Sequence, residues 1–268
     1  MSLQRFERYK NYRFSNMQVH YLNHEHYQKG DTKLATRYAA KLMKEDDALK
    51  VITFLVLSQH QYEPFLGEMG FTAKEFKNHG CPYKEGKIQI HTVKTYDPDY
   101  LFAGRRPSEI LIAVGVPPKE LVQYEDKSDI AHCIIAPWTL DENLEFLSIY
   151  EAIDIETGKA FPRPSEVDER IINAIGWLKW TSYPNEGYHH PNDAERLHQM
   201  ANALKKYHVP VDYASTVYSG LHNGLLPSAA RKTADAFVRA QARLFAVPKD
   251  TNYPHLKQMM EEEHDDIA

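Results

Sequence analysis

The stretch EILIAVGVPPKELVQYEDKSDIAHCIIAPW, residues 109–138, decides the fold. Its first eight residues form an apolar run without alternation. PPKELVQYEDKS then has helical character, and AHCIIAPW is a second unbroken apolar run. Strands that read as continuous hydrophobic segments are buried on both faces, which is the signature of a parallel sheet covered by helices. Thr139 and Glu142 have capping-box spacing for a following helix, with Leu140, Leu144 and Leu147 on one face. EAIDIE, 151–156, reads as a third strand. The expectation is an α/β protein with a parallel, Rossmann-like βαβαβ core around residues 109–156, its three strands side by side.

Working outward toward the amino terminus, KIQIHTVKTY alternates as a half-buried strand, with Ile88 and Ile90 opposite Lys87, Gln89 and His91. NHGCPYKEG reads as a loop, and Thr72 with Glu75 marks a short helix. Leu49, Ile52, Leu55 and Val56 fall at helical steps, which predicts a helix from Asp46 or Asp47 ended by Pro64 and Gly67. VITFLVL alone also suits a buried strand. Asp31 or Thr32 opens a helix to about residue 43, and Met17, Val19 and Tyr21 alternate as a short strand. Beyond TGKAFPRP, helix starts at Ser165 or Asp168, Asn192, Asp212 and Ser228 predict an all-helical region from 165 to 246. The predicted organisation is an α/β domain over 1–162 and a helical region over 163–268, the two sharing a core or standing apart.

Bulk properties bound the function. The apolar fraction of 43% and charged fraction of 26% are ordinary for a globular chain. The net charge of -5 provides no global field for nucleic acid or anionic membrane. The longest apolar run, VITFLVL, is too short to span a bilayer. Two cysteines, Cys81 and Cys133, and no leader segment favour a reducing cytoplasm. The composition names no cofactor, decides neither for nor against an enzyme, and is compatible with a homo-oligomer.

The glycine turn at residue 115 has one glycine where a dinucleotide fingerprint wants three. Pro117 and Pro118 lack N–H groups to donate, and Glu120 already serves the helix start. A phosphate cradle is therefore not expected there. Ligands of open parallel sheets nonetheless gather at the carboxyl ends of the strands. Gly115, Pro117, Lys119, Trp138, Thr139 and Asp154 are the candidate residues for binding a small organic ligand or nucleotide there, Trp138 to stack a ring and Asp154 to accept from a hydroxyl. The plainer reading makes Trp138 a packing residue and Thr139 a cap.

Other groupings compete. His20, His24 and His26 would share a face if the first strand continued through them, and His189, His190, Asp193, Glu195 and His198 form a second set. Neither has recognised metal spacing, so no metal is assigned. Asp154 and Glu156 in DIETGK have the alternate spacing of a metal-dependent nuclease, though ETGK is also an ordinary turn. The alternative to small-molecule binding is a nucleic-acid partner. Residues 1–44 hold nine Lys or Arg against Glu7, Glu25 and Asp31, a balance of +6, with Phe6, Tyr9, Tyr12 and Phe14 interleaved. Lys232, Arg239 and Arg243 share one face of the last helix, with Asp235 among them. A third option makes the helical half a protein-interaction surface.

Overall fold

The computed structural model describes residues 17–71, 80–83, 86–96, 109–127, 129–165 and 167–262. The Thr72/Glu75 helix start, the aromatic positions 6–14 and the end of the acidic tail lie outside them. The chain divides into two compact units, Ser15–Arg163 and Pro164–Ala268.

The first unit is built on a seven-stranded sheet. In chain order its elements are β1 (Gln18–Tyr21), α1 (Asp31–Glu45), β2 (Val51–Val56), α2 (Tyr62–Met69), β3 (Gly80–Tyr83), β4 (Gly86–Thr92), β5 (Glu109–Val114), α3 (Pro118–Leu121), β6 (Ile130–Ala136), α4 (Leu144–Ile149) and β7 (Ile153–Asp154). The strand order is β3-β4-β2-β5-β6-β1-β7. Every pairing is parallel except that of β3 with β4. The Rossmann-like α/β reading therefore holds, with one difference. β5 and β6 are neighbours, but β1 inserts between β6 and β7, where it pairs His20 with Ile153 and Tyr21 with Asp154.

Side-chain alternation splits the apolar strand residues between two helix-covered faces. On one face Ile52, Phe54, Ile110, Ile112 and Ile134 pack with Ala35 and Ala39 of α1 and Leu66 of α2. On the other, Leu55, Leu111, Ala113, Cys133 and Ile135 pack with Leu121, Phe146 and Leu147. The handedness of parallel crossovers explains the division. β1-α1-β2 and β2-α2-β4 step one way along the sheet, while β5-α3-β6 steps the other, and reversing direction moves a right-handed connection to the opposite face.

Several local expectations change. Residues 51–56 are strand, not the continuation of a helix, and five of the six are buried. The backbone of α2 runs through Pro64 and Gly67 instead of ending at them; Pro64 lies in the first turn, where its missing N–H removes no helix bond. Gly80–Tyr83, expected as loop, pairs with β4. The Thr139 capping box does not form. A 3-10 turn at Asp141–Asn143 precedes α4, and Thr139 instead offers its carbonyl to Asn143 Nδ2 at 3.0 Å. Leu144 faces outward, and Phe146, Leu147 and Ile149 fill the inner side.

The second unit contains α5 (Glu169–Thr181), α6 (Pro191–Lys206), α7 (Tyr213–His222), α8 (Pro227–Ala242) and α9 (Tyr253–Glu261). Asp168 and Asp212 cap α5 and α7 through backbone N–H bonds from Arg170 and Ser215. α6 starts at His190 and α8 at Leu226, in place of Asn192 and Ser228, because a proline occupies the first helical position of each. α8 stops at Ala242, short of 246, and α9 has no counterpart in the sequence reading. Leu178, Leu197, Met200, Leu204, Val217 and Phe237 are fully or nearly fully buried in this unit. Among the described residues no helix is long and apolar enough to cross a membrane.

Candidate functional site

At the carboxyl edge of the sheet, β2 sends its chain toward β4 and the adjacent β5 sends its chain toward β6. Two neighbouring strands whose connections diverge leave a crevice between the loops that follow them. The loop after β5 begins with Gly115, whose φ of +58° suits glycine better than any residue with a Cβ. A Cβ there would stand 2.7 Å from Trp138 Cε3, so the glycine also makes room for the indole.

Trp138 is held by backbone pairing. Tyr27 N–H donates to its carbonyl at 3.1 Å, and Leu140 N–H donates to the Glu25 carbonyl at 3.0 Å. These bonds zip the loop after β1 to the loop after β6. The Tyr27 and Trp138 rings stack at 5.3 Å with 24° between planes. Trp138 nevertheless remains 55% exposed.

Tyr27 anchors the stack. Its hydroxyl donates to Glu68 Oε2 at 3.0 Å and lies 2.6 Å from Thr32 Oγ1, which is then the donor in the second bond. Burial, partly offset by Thr32 and reinforced by Glu68, pushes the Tyr27 phenol up to about 12, so the donor proton stays in place. Beside it, His24 Nδ1 lies 2.9 Å from Asp31 Oδ1 and His24 Nε2 lies 3.2 Å from Glu156 Oε2. Asp31 also accepts the Gln28 N–H at 2.8 Å. Both ring nitrogens of His24 thus face a carboxylate oxygen. The arrangement ties the loop after β1 to the first turn of α1 and to the turn after β7.

The candidate residues named from sequence divide accordingly. Gly115, Trp138 and Thr139 come together at the carboxyl ends of β5 and β6. Pro117 caps α3, Lys119 is exposed on that four-residue helix, and both belong to the opposite side of the sheet from α1. Asp154 is buried and closes its own turn, accepting from Glu156 N–H at 2.9 Å and Thr157 Oγ1 at 2.7 Å. Asp154 and Glu156 therefore serve different partners. Tyr27 and Glu68 were missed, His24 was weighed only as a metal ligand, and Asp31 only as a helix start. β1 ends at Tyr21, so the strand alternation that linked His20, His24 and His26 does not extend to them. His20 is buried, with Nε2 3.0 Å from His132 Nδ1 and Nδ1 3.2 Å from the Tyr38 hydroxyl. His26 is exposed. In the second set, His190 starts α6, His198 stacks on Phe245 at 4.0 Å, and Asp193 pairs with Arg196 at 3.4 Å. Among the described residues no three His, Cys, Asp or Glu side chains gather as a metal site.

A second buried polar group lies where β2, β4 and β5 adjoin. The Thr53 hydroxyl donates to the Glu109 carboxylate, and Gln89 Nε2 donates to Thr53 Oγ1 at 3.0 Å. Burial raises the Glu109 carboxyl, offset by these bonds. It sits at the amino end of β5, away from the crevice.

No family model matches the chain, and neither the curated proteins nor the solved structures contain a significant match to it.

Proposed function

We propose that the crevice at the carboxyl ends of β2, β5 and β6 binds a planar, hydroxylated small molecule without phosphate groups, of the nucleoside type. The observation that carries this is Trp138, half-exposed yet braced from behind by the Tyr27 stack and seated on Gly115. A rigid exposed indole is a stacking platform for a ring. The charge around it selects against phosphate. Asp31, Glu68 and Glu156 lie at the edge, and Asp31 occupies the first turn of α1. Of these, Glu156, with its side chain 44% exposed, is the carboxylate placed to accept from a ribose hydroxyl or an exocyclic amine.

Isothermal titration calorimetry with adenosine, guanosine, cytidine and uridine, each against its triphosphate, tests the reading. At least one nucleoside is expected to bind, more tightly than its triphosphate. Trp138→Ala is expected to weaken it roughly tenfold, within the range of base–aromatic stacking. Heat from no nucleoside, or a consistent preference for the triphosphate, removes the proposal.

A further inference from the structure

Away from the crevice, α1 carries Lys33, Arg37, Lys41 and Lys44 at steps of four, four and three residues. At about 1.5 Å rise per residue these span roughly 16 Å of one helix face. All four are exposed. They line a groove of about 420 Å³ whose apolar side is formed by Met69 and Phe71, at and just after the end of α2. Lys41 pairs with Glu45 at 3.8 Å, an exposed contact worth little. Lys33, Arg37 and Lys44 have no acidic partner among the described residues. Glu68 of α2 is held by Tyr27.

We infer that this groove binds single-stranded nucleic acid, with the α1 cations following the phosphates and a base lodged against Phe71 and Met69. A row of cations one helical turn apart suits a polymer that carries a charge on every unit. The apolar wall suits the face of a base. A groove of this volume admits a nucleotide. The basic positions of the helical unit lack these features. There Lys232 donates to the Gly187 carbonyl and Arg239 lies over the Phe245 ring at 5.4 Å. The basic character of residues 1–44 thus has a structural expression in α1, which supplies four of its nine cations. The groove is independent of the Trp138 crevice, and either reading stands without the other.

Fluorescence anisotropy with a labelled 15-nucleotide poly-U or poly-dT, using the full chain, tests it. Binding is expected to weaken with salt, with log K against log [salt] falling at a slope of about -2 to -3 for three to four neutralised phosphates. The double substitution Arg37→Glu with Lys44→Glu is expected to cost tenfold or more and to flatten that slope, with the melting temperature nearly unchanged because both side chains are exposed. Phe71→Ala is expected to cost severalfold at an unchanged slope. Lys249→Glu, an exposed cation of the other unit, is the control and is expected to leave binding as it was. Equal binding by the double variant, a flat salt response, or equal affinity for a duplex or for poly-glutamate would each overturn the assignment.

Discussion

At the scale of single residues, the least ordinary side chain is His20. It lies under α1 with 1% of its surface exposed, bonded to His132 and Tyr38 in a layer that is otherwise apolar. Burial, and behind it the neighbouring His132, lowers its pKa from 6.5 to about 3. Burial also lowers His132, with Asp46 opposing. The unfolded chain therefore takes up these protons first as the pH falls. The stability that neutral His20 contributes is whole above about 6.5 and is lost progressively between there and about 3, with a slope of up to about 1.4 kcal/mol per pH unit, and His132 acts in the same direction. Urea midpoints measured from pH 7.5 to 4 are expected to fall with acidification. In His20→Gln, which cannot titrate, the acid limb should be shallower by about one proton. Superimposable pH profiles for the two proteins would show that His20 is protonated in the folded state.

At the scale of elements, β2 shows what the sequence conceals. Its residues satisfied a helical step as well as a strand, because a segment buried on both faces has no polar side to betray its period. Pairing with β4 on one side and β5 on the other settles the matter, and that pairing is non-local. Phe54, with no exposed surface, packs between β2 and the helices of its face. Phe54→Ala is expected to destabilise the unit by about 3–5 kcal/mol, the usual cost of an emptied aromatic site, seen as a lower urea midpoint at an unchanged m-value. A loss under 1 kcal/mol would mean that the strand tolerates the cavity by rearranging. The same logic separates what was legible from what was not. β4, β5 and β6 could be read because alternation or unbroken apolarity ran long enough to count. β3 could not, since Gly80, Cys81 and Pro82 carry turn residues and pair only through a hairpin edge. Of the crevice, Gly115 and Trp138 were visible as punctuation after apolar runs. Tyr27, Asp31 and Glu68 were not, because they reach it from loop and helix positions whose proximity is created only when β1 inserts beside β6.

At the scale of the whole molecule, each unit encloses its own apolar interior. Ile52, Phe54, Ile110 and Ile112 belong to the sheet unit, whereas Leu197, Met200, Leu204 and Phe237 belong to the helical one. Two cores can open sub-globally, one by one, with a separate free energy for each. Phe237 is fully buried in α8, which packs against both α6 and α7. Removing its ring should therefore loosen those helices together. Native-state hydrogen exchange on Phe237→Ala is expected to lower the opening free energy of amides across α6, α7 and α8 by about 3–5 kcal/mol, while amides of β2, β5 and β6 keep theirs to within about 0.5 kcal/mol. An equal drop in both sets would show that the two interiors unfold in one cooperative step. The folding of the sheet, and with it the crevice and the α1 groove, would then depend on the helices that follow. Independent opening would instead let the ligand reactions of the sheet unit survive partial unfolding of the helical one, and mild denaturant could then distinguish a site confined to residues 17–163 from one that needs the full chain.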